Sequence, residues 1–442
     1  MFPNPQDALP LPSRPNLEQY KKLAKELKKV CESGKPAGLR QWATDWVHNL
    51  VRLSGLKITS SPPIANRRWI EAVTEFATQK LCTGTRKCAL TDAQFVIARS
   101  HGFLSWPRLA KHLEQLRNAR CFTARFEAAA DAIISGDVEA LNRFLRENSQ
   151  LVRGRSNREH RATLLHYTSA NGVEGYRQKT PKNVAEIAEL LLKSGAEVDA
   201  EADVYGGGCT TLGLAATSVH PELAGVQEPL LQILLDHGAV IDKPRSAGNA
   251  RSAVIACLAN GRVRAAEFLA TRGARLDLES AAGIGRIEVM KACFRSDGSL
   301  MPPATKKDLQ NGFLWACMYG HENEVAFLLD HGADLLEPLD SGATALHWAA
   351  GGAHQGVVSL LLGRGAPLEV LNMWGGTVLE HAGWGFEHSL PSNDFAPVFE
   401  ILLTAGAKIR GRWFEWIEKV KSRSIEDKTR LIHIFRRYGT TQ

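Results

Sequence analysis

Between Asn171 and Asn183 the sequence NGVEGYRQKTPKN gathers Glu174, Tyr176, Arg177, Gln178, Lys179 and Lys182, and it is followed by the tract VYGGGCTTLG from Val204 to Gly213. Such a mixture could hold an anion. A guanidinium is a bidentate fork, lysines are point charges, and glycines let a backbone approach another group closely. Tyr176, Arg177, Lys179 and, from a later segment, His220 are therefore candidates for a ligand or anion site. The tract lacks the GxxxxGK[ST] spacing of a phosphate-binding loop, so the stretch reads more readily as a lip that contacts a partner. Acid-base chemistry has thinner support. His220, His381 and His388 have Glu174, Glu380 and Glu387 as candidate carboxylates, and nothing in their spacing brings any pair together. HExxH, GxSxG and CxxC are all absent. Enzymatic activity stays open, a non-enzymatic role is favoured, and no cofactor or metal is implied.

Those residues need a scaffold, and repetition supplies one. LLKSGA, LLDHGA (twice), LLGRGA and LLTAGA share two apolar residues, two variable ones and Gly-Ala, with a weaker copy in LATRGA. Their glycines, Gly195, Gly238, Gly273, Gly332, Gly365 and Gly406, are separated by 43, 35, 59, 33 and 41 residues. Upstream lie TLLHYTSA from Thr163, TLGLAATS from Thr211, TALHWAAG from Thr344 and TVLEHAGW from Thr377. A Thr at a helix start caps orphan N–H groups, Leu and Ala recur on one face, and the closing Gly can take positive φ where a second helix stops. Each unit is thus a helix pair that cannot bury its face alone. Stacking supplies the core, and the end units must cover their outer faces.

Period and motif together resemble the ankyrin repeat, with its period of about 33 residues and its T-P-L-H-x-A opening. The resemblance covers about residues 122–410. It implies an all-α ankyrin-repeat solenoid of about eight helix pairs, some degenerate or carrying inserts. The longer spacings place inserts between first and second helices at 171–183, 218–227 and 384–394. The stretch from Glu279 to Thr305 lacks both signatures, so a local bend is expected there. In ankyrin repeats the residue after the motif His, and those three or four places on, turn toward partners from the concave face. Carried over, that gives Tyr167 and Asn171, Leu214 and Ser218, Trp315 and Tyr319, Trp348 and Gly352, and His381 and Trp384, with Trp374 in an adjoining hairpin. Aromatic residues are only 7% of the chain, so their clustering here points to an interaction strip, since Trp and Tyr dominate binding hot spots. His166 and His347 hold the motif position, where the resemblance implies a bond to a neighbouring repeat's backbone. The function implied is binding of a protein partner or other macromolecule along this aromatic face. The alternative is a small-ligand-binding protein or enzyme whose pocket is closed by the three inserts.

The 442 residues exceed what one core usually serves, and 44% hydrophobic with 23% charged residues excludes wholesale disorder. No apolar stretch suggests a membrane span or a secretory signal. The eight cysteines, without a CxxC pair, suggest reduced thiols and a cytoplasmic protein. Charge is uneven: residues 1–120 hold 20 Lys and Arg against 9 Asp and Glu, residues 121–410 hold 26 against 34, and residues 411–442 hold 8 against 4. Three regions follow, a basic helical head (1–120), the repeats (121–410) and a helical tail (411–442) that caps the last repeat. The head's LPSRPNLEQYKKLAKELKK and LTDAQFVIARSHGFLSWPRLAKHLEQL resemble a helical module that precedes ankyrin repeats in many bacterial proteins. Nucleic-acid binding is disfavoured, because only Arg108, Lys111 and His112 could read a groove. The head is expected to pack as a cap on the first repeat near Phe126 and Leu141.

Overall fold

The computed structural model describes residues 4–34, 36–54, 63–82, 88–244, 252–338 and 341–439. The last three residues of the expected tail lie outside them. Among the described residues the chain is all-α apart from one short hairpin, and it divides into two compact units, Met1–Ala265 and Ala266–Gln442. This division falls within the repeats. No helix among the described residues is long and apolar enough to cross a membrane, and no group of His, Cys, Asp and Glu among them is arranged to hold a metal ion.

The first unit opens with the head helices Leu17–Glu32, Pro36–Ser54, Pro63–Leu81, Leu90–Ser100 and Trp106–Leu116. Periodicity explains them. In the first, Tyr20, Ala24 and Leu27 are buried while Lys21, Lys22, Lys25 and Lys29 face solvent, so the basic stripe is a solvated face on a docked helix. Trp42, Trp46, Phe76, Val96, Ile97 and Leu109 complete the head's core. Cysteines that are scattered in sequence meet here: the Cys31 thiol donates to the Leu81 carbonyl at 3.5 Å and lies within hydrogen-bonding reach of Cys82 and Cys88. Burial first, and Cys31 second, push Cys88 up to about 12, so it stays a protonated thiol.

Three helix pairs follow, Phe122–Ser135 with Val138–Glu147, Leu164–Tyr167 with Val184–Lys193, and Thr211–Thr217 with Gln227–Asp236; Ala253–Ala259 then starts a fourth. The glycines of VYGGG form the turn of a hairpin pairing Glu201–Ala202 with Cys209–Thr210, all three at positive φ. That is the structural use of the tract.

The second unit holds Leu278–Gly283 with Ile287–Lys291, Lys306–Tyr319 with Glu322–Asp330, Ala345–Gly351 with Gln355–Gly363, and Val378–His388 with Ala396–Thr404. The first helices of these pairs pack on one another in order. Each starts with the same reciprocal cap built from different residues. The Thr344 N–H donates to His347 Nδ1 at 3.1 Å, the Thr377 N–H to Glu380 at 2.7 Å, and the Thr305 N–H to Asp308 at 2.8 Å. At Asp277 and Ser280 each backbone N–H donates to the other's side chain at 2.8 Å. The stretch without a Thr-x-Leu-His opening therefore still starts as a repeat. Its second helix is short, and an isolated bridge between Phe294 and Leu300 follows it. The tail supplies the expected closing pair, Trp413–Lys419 and Ile425–Gly439, with Trp413 stacked on Phe435 and edge-on to Phe399.

Candidate partner-binding face

Arg177, read from sequence as an anion fork, is buried at 5% exposure. Its guanidinium donates to Glu127 at 2.7 Å and Asp131 at 2.9 Å, and lies 3.5 Å from Glu174. Arg158, 2% exposed, donates to the other oxygen of Glu127 at 2.7 Å and pairs through Nε with Glu174 at 2.8 Å. Tyr176 takes a weaker bond from Arg158 at 3.4 Å. Two arginines and two glutamates thus neutralise one another inside the unit. Burial alone would raise both carboxyl groups, but the two arginines outweigh it and hold Glu127 at about 2 and Glu174 well below the usual range. Tyr176 and Arg177 are therefore structural here, not an open anion site.

The same network joins head to repeats. Arg158 lies over the Phe103 ring at 5.5 Å, the Thr123 hydroxyl donates to Gln115 at 2.8 Å, and the Asn157 amide donates to Thr123 at 3.1 Å. Helix Trp106–Leu116 packs on Phe122–Ser135, so contacts centre on Thr123, Glu127, Asn157 and Arg158. Among the described ion pairs, Arg99 with Glu159 at 2.7 Å is the one in which a cation of the head reaches the repeats. Net charge contrast is thus a minor part of docking. The insert's start also touches the N-terminal segment: a Cβ at Gly175 would collide with the Gln6 carbonyl oxygen. Gly175→Ala should accordingly lower the melting temperature of the first unit, by a cost of about 1–3 kcal/mol for forced overpacking. Thermal unfolding of the full chain measures it, with Gly213→Ala, an exposed and uncrowded position without positive φ, as the comparison.

The other early candidates divide. Tyr167 is wholly buried, edge-on to Phe126 and His160, so it packs the core and presents nothing to a partner. Asn171 is half-buried and donates to the Leu214 carbonyl at 3.2 Å, while its amide oxygen accepts from the Tyr205 hydroxyl at 2.8 Å. Lys179 is exposed. His220 is half-buried in the short helix Val219–Leu223, and burial lowers its pKa. His166 does what the motif implies, with Nδ1 at the Thr163 N–H and Nε2 3.2 Å from the Cys209 carbonyl.

The inserts are held down by their own units. Lys182 donates to the Ala224 carbonyl at 2.6 Å, and Gln227 donates to three carbonyls, of Ala215, Ala216 and Ser218, at 3.0–3.2 Å. In the second unit the buried Arg423 reaches the carbonyls of Phe386, Pro391 and Asn393 and lies over the Phe386 ring at 4.8 Å. A cavity of about 230 Å³ opens beside the first hairpin, between Arg99, Arg158, Glu159 and Asp203, and its lining includes no residue of 171–183 or 218–227.

The late aromatics behave differently. Trp315 is anchored, since its N–H donates to Glu279 at 2.8 Å while Asn311 donates to the same carboxylate, and it stacks on Tyr319 at 6.1 Å. Trp348, half-buried, meets His381 edge-on at 5.4 Å, His381 meets Trp384 at 5.7 Å, and Trp384 stacks on His388 at 5.0 Å. His381 itself is buried, and burial and then His347 lower it to about 4, so His381 is uncharged at neutral pH. The ladder is open to solvent at Trp384, which is 55% exposed, and Trp374, in the turn ahead of this helix, is 71% exposed.

Beside Trp384 a cavity of about 370 Å³ is lined by Gly383, Trp413, Trp416, Glu380 and Glu387. Gly383 makes it possible, because a Cβ there would lie 2.9 Å from the Trp413 ring. Trp416 donates its N–H to Glu387 at 3.1 Å. Trp413 and Trp416 read from sequence only as a capping stripe, because nothing local in the tail shows that they line a cavity with Trp384.

Residues 278–372 match the sequence model of the family described as ankyrin repeats, in three copies. No curated protein matches the chain. Among solved structures, the ankyrin repeat domain of Bcl-3, described as a unique member of the IkappaB protein family, is similar at 20% identity and a TM-score of 0.30, over 62% of this chain and 97% of that one. The human ASB11 ankyrin repeat domain is similar at 21% identity and a TM-score of 0.33, over 64% and 99%.

Proposed function

We propose that this chain is a non-enzymatic, cytoplasmic interaction protein that binds a protein partner along the aromatic edge of its last first-helices, with Trp384 and Trp374 as anchors. The ankyrin repeats at 278–372 support an interaction role. The observation that carries the reading is the exposed Trp384 in a ladder of rings between His381 and His388, next to a cavity that a partner's side chain could fill. Large exposed aromatics cost solvation in a free protein and yield it back when covered. Trp348 strengthens the edge, since its buried indole N–H has no partner among the described residues.

The test is proximity cross-linking and affinity capture from the native lysate with wild type, with Trp374→Ala plus Trp384→Ala, and with Ile425→Ala as a control. Ile425 is exposed at 85% and lies on the tail's second helix, so its loss should leave binding intact. Truncating two hot-spot residues should weaken a genuine partner by at least about thirtyfold. An unchanged partner set from a double variant that melts like wild type removes this edge from the account.

A further inference from the structure

A cavity of about 390 Å³ lies in the head, between the helices Leu17–Glu32 and Pro36–Ser54. That volume is in the range of small-molecule sites. Its walls are apolar and aromatic, led by Trp42, Trp46 and Leu50, with the two indoles 5.0 Å apart and tilted.

The charges of the lining run against those of the surrounding segment. Lys and Arg outnumber Asp and Glu by 20 to 9 in residues 1–120, yet no Lys or Arg lines this cavity, and its two charged residues are Glu26 and Asp45. Both are exposed, and neither has an ion-pair partner among the described residues; Asp45 accepts only the Gln41 amide at 3.0 Å. Exposed carboxylates and indole rings in one lining both favour a cation with a hydrocarbon body.

We propose that this cavity binds a small organic ammonium compound, an aryl- or alkylamine whose hydrocarbon part lies against Trp42, Trp46 and Leu50. Glu26 and Asp45 hold the ammonium. The site is independent of the partner-binding edge and does not need it.

Calorimetric titration of the full chain with 2-phenylethylamine, with its uncharged isostere 2-phenylethanol and with 3-phenylpropanoate tests the proposal. Saturable binding of the amine is expected, with the alcohol weaker by roughly tenfold or more and the carboxylate not bound, as removal or reversal of a charge-assisted contact requires. Glu26→Gln plus Asp45→Asn, two exposed substitutions that leave the melting curve unchanged, should weaken the amine by a similar factor and leave the alcohol alone. No saturable amine binding at millimolar concentration, equal affinity for amine and alcohol, or amine affinity indifferent to the double substitution would each overturn it.

Discussion

Glu174→Gln should destabilise the first unit by about 3–5 kcal/mol, the cost of breaking a buried ion pair by removing one partner. Glu174 is wholly buried, pairs with Arg158 at 2.8 Å and lies 3.5 Å from Arg177. Without its charge, two buried guanidiniums share Glu127 as their remaining buried carboxylate. Neither can move to water, because Arg158 sits over Phe103 and Arg177 lies over the rings of Tyr167 and Tyr176. The loss should hardly depend on salt, since buried pairs are poorly screened. An exposed pair gives the contrast: Asp330→Asn, which breaks a 2.9 Å bridge to Arg364, should cost under about 1 kcal/mol and less in high salt. Denaturant unfolding of the full chain, with the two units followed as separate transitions, decides it. A Glu174→Gln effect as small as that of Asp330→Asn would mean that the network is hydrated and not a structural core.

This network also shows where sequence reasoning succeeds and where it stops. The repeat units were legible because their signal is local: Thr caps, apolar periodicity and a closing Gly lie within one period, and even Asp277 with Ser280 reproduces the cap in other letters. The fate of Arg177 was not legible. Its charge and its place in an insert suit an exposed ligand site, and the carboxylate that buries it, Glu127, lies 50 residues earlier on an otherwise apolar helix face. That single acid among Phe126, Ala130 and Ile133 was the available hint, since a lone charge on an apolar stripe needs a partner. Trp384 shows the reverse case. Its exposure follows from its place on the repeat, whereas the Trp413 and Trp416 rings beside it arrive from the tail through a gap that only Gly383 leaves.

Acid should begin to destabilise the first unit below about pH 6, above the carboxylates' ordinary pKa. Burial lowers His101 to about 3, partly offset by its bond to the Leu9 carbonyl; burial lowers His112 to about 4 and His166 to about 4. Between those values and the 6.5 of an unfolded histidine, the unfolded chain binds more protons than the folded one. Stability therefore rises with pH across that window, is complete above about pH 6.5 and falls as pH drops toward 4. Glu127, at about 2 when folded, and Glu174 act with the same sign lower down, losing their contribution as pH falls below 4.5. Each histidine shift of two or more pH units is worth on the order of 3 kcal/mol, so three together match the roughly 5–15 kcal/mol that holds a typical domain. The melting temperature of the first unit should be flat from pH 8 to 7, decline steeply below about pH 6 and vanish near pH 4–5. His112→Gln keeps the volume without the titration, so it should remove close to one proton from the slope between about pH 5 and 6. A melting temperature that holds steady down to pH 4.5, or a slope untouched by His112→Gln, would mean that these rings take up protons in the folded state and are not sealed beneath the head.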